Sequence, residues 1–590
     1  MLKNKKRFSS ACFSGAFLTG AILLFAFTGC FSPWKGGEGY LNINLGSGTA
    51  RAGWFIQDEN PNYDQEIILD GPGGRISQKI AKGVTSVSIK LLPGDWDVTV
   101  RATGVRPKTD PLAQEGIIDY ESLDFPAVML KAIGFANTTI EAGKISPVKI
   151  NMVTATEVFN FKQLEFAMQN VNTNEYIMIE NNITIEHTLS AVNIANLIAE
   201  KDVTLKRDTE NPDNTNALFE ANNGTAIFLG RKGMKAKLII DGGNSESTRG
   251  ALFNIGDESL GAGTLVMYDG VILTNNRKTY NGITGDQSGY GGAIYAINSY
   301  IEINGGEIRG NSAECGAGIY MSQSNLNMYG GSIIDNAASN SGGGVYLDNN
   351  SYLFMNNSSG ISRNTASYSG GGIYGINASN LVINDSSTVS LNQATSGGGI
   401  FADSMIIQMP GGSIKNNTAK TLGGGIYLNS DCSLLLTGNA AITGNNSFQG
   451  GGLYSMGQAS LEGNSVITGN TANWGGGIYI KTSIVTMNEN AEISGNQLTS
   501  TDGFGGGVCM NGNDAGGAYL HISGGVIYGI KAGGQANIPT SLCVLGAEDN
   551  AEYGNIDNNE WFANGSLLDL LLNYSTNATI RVKNGELAEN

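Results

Sequence analysis

The chain has 590 residues, among them 84 glycines and only 11 prolines, and a formal charge of −17. Glycine at about twice its usual share of roughly 7%, without a Gly-X-Y period or the proline to support one, excludes a collagen-like helix. So acidic a surface repels phosphate backbones and sets nucleic acid aside as a partner.

Lys3, Lys5, Lys6 and Arg7 form a basic start, and an apolar stretch from Ala16 to Phe27 follows. That stretch is shorter than the roughly 20 residues a membrane-spanning helix needs, so residues 1–29 read as an export signal. It ends in Phe27-Thr28-Gly29-Cys30, which resembles the lipobox of bacterial lipoproteins, with Phe27 in place of the usual leucine. The resemblance implies cleavage before Cys30, lipidation of its thiol and acylation of the new amino terminus. More than one acyl chain gives stable anchoring. An ordinary secretory signal with an incidental cysteine is the alternative. Removing residues 1–29 takes away four positive charges and no negative ones, so −17 becomes −21.

After a tether over residues 30–39, residues 40–154 read as alternating strands without a repeat. Leu41, Ile43 and Leu45 alternate, as do Val87, Ile89 and Leu91; after a turn at Pro93-Gly94, Trp96, Val98, Val100 and Ala102 alternate on the return. This predicts a small β-sandwich. A short amphipathic helix over 160–168 follows, with Asn160 as N-cap, Gln163 as its reciprocal partner, and Phe161, Leu164 and Met168 on one face. It is placed to cap the apolar end of a stacked array.

From there to about residue 545 the chain repeats. A glycine-rich element with a branched residue and an aromatic recurs, ending at Tyr295, Tyr320, Tyr346, Tyr374, Phe401, Tyr427, Tyr454 and Tyr479, with a degenerate copy at Val508-Cys509. The spacings are 25, 26, 28, 27, 26, 27, 25 and 30 residues. An aliphatic residue three before an asparagine recurs in step, placing Asn275, Asn311, Asn336, Asn364, Asn392, Asn417, Asn445, Asn470 and Asn496. A third apolar run, such as Leu326/Met328, lies between the two. Three short strands in about 26 residues predict one coil of a three-sided right-handed parallel β-helix. Residues 546–590 read as a C-terminal cap, with Leu567–Leu572 an apolar cover and Ala578–Val582 a last strand.

Stacked coils place like residues above one another. The asparagines then form a ladder of amides at a turn, where asparagine also tolerates the left-handed backbone, and the glycines supply positive φ where a Cβ would clash. Strand parity turns the aromatics outward in a stripe about 34 Å long, seven steps of roughly 4.8 Å. Two readings of that stripe stand: rings that shield a sheet, and a strip that binds a glycan or protein.

These motifs resemble the repeats of chlamydial polymorphic membrane proteins, marked by GGA[ILV] and FxxN tetrapeptides. Gly291-Gly292-Ala293-Ile294 fits the first literally; Ile308…Asn311 and its successors fit the second with Ile or Val for Phe. The resemblance spans about Val271 to Met510 and implies a pectin-lyase-like β-helix and, more weakly, surface adhesion. Those proteins end in an outer-membrane barrel, whereas this chain ends at Leu587-Ala588-Glu589-Asn590 without a barrel-length segment, so the lipid is the expected anchor.

Many β-helices act on polysaccharides. Lyases need a basic residue beside clustered acids that hold Ca²⁺, and hydrolases need converging carboxylates. From residue 290 onward the arginines are Arg309, Arg363 and Arg581, while Asp335, Asp348, Asp385 and Asp403 fall at unlike places in their coils. His187 and His521 lie near opposite ends. No cofactor or metal is expected, since no CxxC or His-Cys pairing occurs. Cys315 and Cys432 lie more than four coils apart, beyond the roughly 7 Å reach of a disulfide; Cys509 and Cys543 are close enough to meet. The expectation is a non-enzymatic binding or adhesion module anchored by lipid at the outer membrane, on the cell surface or the periplasmic face, with a glycan or protein ligand. A carbohydrate-active enzyme and a purely structural rod are the alternatives.

Overall fold

The computed structural model describes residues 39–44, most of 64–105, 123–170 and 175–527 with short gaps, and the strands 542–545, 554–556, 578–583 and 586–588. Cys30, its signal, and Leu567–Leu572 lie outside the described residues.

Two sheets form the N-terminal unit. Gly39–Asn44 pairs with Ser86–Leu91 on one side and Ile145–Lys149 on the other. The second sheet runs antiparallel through Gly74–Ile80, Asp64–Gly71, Gly94–Val105, Val128–Ile140 and Val153–Val158. The alternating apolar residues meet between them: Leu41, Ile43, Ile67, Leu69, Trp96, Val98 and Val100 are buried in one cluster. The second sheet does not stop at the unit's edge. Val153–Val158 pairs in parallel with Tyr176–Ile179, which pairs with Ile194–Ile198, the next coil. Arg101 fastens this junction, its guanidinium bonded to Glu157, Glu200 and, at 3.5 Å, Glu180. Burial nevertheless raises the Glu157 and Glu200 carboxyls above the usual carboxylate range.

The helix spans Phe161–Asn170 and buries Phe161, Leu164 and Met168. Gln163 N donates to Asn160 Oδ1 at 3.0 Å, and Phe159 N to Gln163 Oε1 at 2.7 Å. Both side chains of the expected cap take part, but the reciprocal bond reaches one residue further back.

The rest of the described chain is a parallel β-helix. One coil shows the plan: Ile373–Gly375, Ser379–Ile383, Thr388–Ser390, a corner at Asn392, then a short strand Gln393–Ser396. The next coil repeats it in register, with Tyr374 on Phe401, Leu381 on Ile407 and Val389 on Ile414. Among the described residues the aromatic-bearing sheet has 14 strands and the sheet before the asparagine corner 13. The short strand belongs to a fourth sheet that the three-strand reading did not contain. Residues such as Ile373, Leu381, Ile383 and Val389 fill the tube at 0% exposure, each worth roughly 1.5–3 kcal/mol on burial.

The asparagine ladder occupies the interior of the corner. Asn364 Nδ2 donates to the Ile333 carbonyl at 2.9 Å and to Asn392 Oδ1 at 3.1 Å, and Asn364 N donates to the same oxygen at 2.9 Å. Asn364 Oδ1 in turn accepts from Asn336 N and Nδ2, both at 3.0 Å. The pattern continues to Asn496. Two expectations are corrected here. The first rung is Asn276, not Asn275: Asn276 N donates to Asn311 Oδ1 at 3.1 Å, while Asn275 is exposed and bonds Asp241. The register explains it, since Leu273, not Ile272, lies on Ile308. Second, the left-handed residue is the one before each rung, among them Asn275, Gly310, Asp335, Arg363 and Leu391. Arg207, 2% exposed, closes the top by donating to Asn276 Oδ1 at 3.4 Å. Burial lowers its guanidinium to about 10.

The glycine triplets follow from the same corner. Gly370 has φ +64°; a Cβ on Gly371 would lie 2.4 Å from the Gln393 carbonyl, and one on Gly372 2.8 Å from Asn392 Nδ2.

At the lower end Ala578–Lys583 pairs antiparallel with Ala518–Ile522, and Gly554–Ile556 antiparallel with Leu542–Leu545, ending the parallel stack. Cys509 and Cys543 are register partners on neighbouring parallel strands.

Asn364→Ala should cost about 3 kcal/mol or more, because it leaves the Ile333 carbonyl and two Asn336 donors unpaired; urea unfolding measures this. Leu391, exposed at 48% with φ +58°, should give the opposite result. Leu391→Gly relieves a left-handed backbone that costs an L-residue roughly 1–2 kcal/mol, so its thermal midpoint should rise.

Candidate functional site

The aromatic stripe is the first place to look for function, and its geometry is now explicit. Strand parity holds: Ile400 and Ala402 are buried in the tube and Phe401 projects out of it. Outward does not mean exposed, however. Tyr320, Tyr454 and Tyr479 are buried, and Tyr295, Tyr346, Tyr374, Phe401 and Tyr427 are half-buried.

Neighbouring rings cover each other. Phe401 and Tyr427 have centroids 4.4 Å apart and planes inclined by 4°; Tyr374 and Phe401 are 5.2 Å apart at 10°, and Tyr454 and Tyr479 5.2 Å apart at 5°. At such separations each near-parallel ring lies over the next, so the ring faces are largely taken up by one another. Each pair adds about 0.5–1.5 kcal/mol to its burial.

In four of the coils the residue before the glycine element supplies further cover. Tyr290 packs on Tyr320 at 4.9 Å, and Trp474 on Tyr479 at 6.4 Å, while Leu422 and Phe504 pack against the lower rings. Burial raises the Tyr320 and Tyr346 phenols well above their usual value and pushes Tyr374 up to about 12. Faces suited to a sugar ring lie instead on Tyr368, 63% exposed, and Phe448, 45% exposed, which sits 5.7 Å from Trp474.

The carboxylates weighed for catalysis hold coils together. Arg363 Nε and Nη2 donate to Asp335 at 2.8 and 3.0 Å. Asp348 accepts from the Tyr320 hydroxyl at 2.9 Å and from Asn377 at 2.7 Å. Asp385 accepts from Asn357 N at 3.3 Å, and Asp403 from Asn429 at 2.6 Å. Arg309 pairs with Glu307 in its own strand. His187 lies 3.3 Å from Glu165 and edge-on to Phe161 at the helix cap, and His521 stacks on Tyr519 near the other end. Among the described residues no group of three or more His, Cys, Asp or Glu is placed to hold a metal ion. The Cys315 thiol is buried and pushed up to about 12, and burial raises Cys432 as well; a thiol so held is a poor nucleophile.

The feature that sequence reasoning missed lies on the fourth sheet, where a groove of about 760 Å³ crosses the short strands of successive coils. Its strands rest on a packed row of alanines, Ala313, Ala338, Ala366 and Ala394. Each stands two residues after a ladder asparagine, and that Asn-x-Ala repeat is the signal that marks the strand.

Tyr454→Ala should lower stability by about 3–5 kcal/mol, and Tyr374→Ala by clearly less, read from urea midpoints. The raised phenols carry a signed consequence. The native state holds their protons above pH 10, where the unfolded chain loses them, so stability should fall as pH rises beyond 10. Absorbance at 295 nm should then show much of the tyrosinate appearing only with unfolding. Comparison with protein-family models, curated proteins and solved structures returned no match.

Proposed function

We propose that this chain is a lipid-anchored envelope protein whose β-helix serves as a non-enzymatic binding module. The observation that carries the reading is the groove on the fourth sheet: a long, regular, open surface on a rigid scaffold, with a volume inside the roughly 300–1,000 Å³ usual for ligand sites. Asp335, Asp348 and Asp403 make contacts between coils, which favours a non-enzymatic reading. Cys30 carries the anchor in this reading, and the resemblance to chlamydial polymorphic membrane proteins favours adhesion at a surface.

A structural rod is the second reading, favoured by the closed column of rings, which stabilises the coils without presenting ring faces. An array of glycans and extracellular-matrix proteins probed with the mature chain separates the two. Reproducible binding supports the module, and a blank array supports the rod; release of reducing or unsaturated sugar would instead make it an enzyme. In cells, Cys30→Ser should abolish incorporation of labelled palmitate and shift the protein from the detergent to the aqueous phase. An unchanged partition overturns the anchor.

A further inference from the structure

Where the N-terminal unit meets the solenoid, a cavity of about 600 Å³ opens between the strand Val128–Ile140 and a tight turn of the β-helix. The turn follows the strand Ala226–Leu229 and is closed by Met234 N, which donates to the Arg231 carbonyl at 3.1 Å. Gly233 takes φ +72° within it, and Gly233 N donates to Asp269 Oδ2 at 2.6 Å. Lys235, just beyond, pairs with Asp97 of the N-terminal sheet. The turn is thus tied to both units, and the space between two units is a usual place for a small ligand.

The walls are of two kinds. Phe135, Val153 and Tyr176 supply half-buried apolar surface, with the Phe135 and Tyr176 rings 6.3 Å apart and edge-on at 67°. Arg231 sits over the Phe135 ring, its guanidinium carbon 3.6 Å from the centroid. Stacking of this kind leaves the in-plane N–H donors of a guanidinium to other partners. Among the described residues Arg231 makes one hydrogen bond, Nη1 to the Lys232 carbonyl at 3.3 Å, and no ion pair. Its Nε is covered, which leaves the two Nη nitrogens to meet a ligand. Lys232 is exposed and has no ion-pair partner among the described residues. The acids that act on Arg231 from outside the cavity are already engaged, Glu200 by Arg101 and Asp97 by Lys235 and Asn137. Lined by these two cations and one carboxylate, Asp269, the cavity carries one net positive charge.

We propose that this cavity binds a small organic monocarboxylate with an apolar body. The carboxylate meets the Arg231 Nη nitrogens and Lys232, and the body lies against Phe135, Val153 and Tyr176. The fork of a guanidinium matches the geometry of a carboxylate, and a monoanion balances the single net charge. A phosphate dianion would leave one charge unpaired beside Asp269. The apolar walls add affinity only for a ligand with a hydrocarbon part. A ligand so held bridges the N-terminal unit and the solenoid. The site is separate from the groove on the fourth sheet and does not depend on it.

Isothermal titration of the mature full chain at pH 8 tests this, with phenylacetate and hexanoate as ligands beside phenylacetamide and inorganic phosphate. At least one carboxylate should bind, and the neutral amide and phosphate should bind about tenfold or more weakly. Lys232→Glu alters an exposed side chain and turns the net charge of the cavity negative. It should weaken carboxylate binding about tenfold or more, and Arg231→Gln should do the same. Lys415→Glu makes a like change on another sheet and should leave binding at the wild-type level. Far-UV circular dichroism checks that each variant folds. Failure of the wild type to bind either carboxylate, or equal or tighter binding of the amide or phosphate, would overturn the proposal. So would carboxylate binding that Lys232→Glu leaves unchanged, or that Lys415→Glu weakens as much.

Discussion

A primary amide sealed inside a protein must find partners for two donors and an acceptor oxygen, or cost more than it contributes. In this chain the amides of Asn311 to Asn470 meet that demand through the coil above and the coil below. The arrangement works only if successive coils stack without slipping. A slip of one residue would break every rung and turn each strand's apolar set outward. The rest follows from that register: the glycine triplets pack against the ladder, the aliphatic rows fill the tube, and the rings line up outside it. Coils differ in length without breaking the ladder; one turn, at Asn377 and Ala378, has two successive residues with positive φ.

The same register explains why the most conspicuous repeat in the chain is a poor place to look for recognition. Tyrosines at one position in consecutive coils have nowhere to lie but against each other, and a ring that stacks on its neighbours has given up the face a sugar would use. Function is better served by a surface whose repeats are small, because small side chains stacked in register leave room. The fourth sheet is that surface. It combines the regularity of the solenoid with a buried row of alanines and small polar residues above it.

Much of the fold was legible because its signals are steric and periodic. The glycine triplets, the branched residue before each aromatic, and the asparagine corner all recur at the coil length, and strand parity placed the rings outside the tube. Three things were not legible, each for a physical reason. Asn275 and Asn276 are adjacent and of one type, and only the pairing of Leu273 with Ile308 shows which turns inward. Parity reports that a ring leaves the tube but not what covers it, so the contributions of Tyr290, Leu422, Trp474 and Phe504 from other parts of the coil were invisible. The fourth strand is at most five residues long and rich in serine, threonine and alanine, and alanine favours helix rather than strand; only the recurrence of alanine two places after the rung betrays it.

One feature of the junction has a kinetic meaning. Because Val153–Val158 belongs to the N-terminal unit yet pairs with the first coil, that unit offers the solenoid a strand edge from which to grow. Each finished coil then points its rung's backbone N–H and one side-chain donor toward the coil still to come. Assembly therefore has a seed and a direction, and the entropy of loop closure that slows parallel sheets is met one short loop at a time. At the carboxyl end the antiparallel strands close the stack.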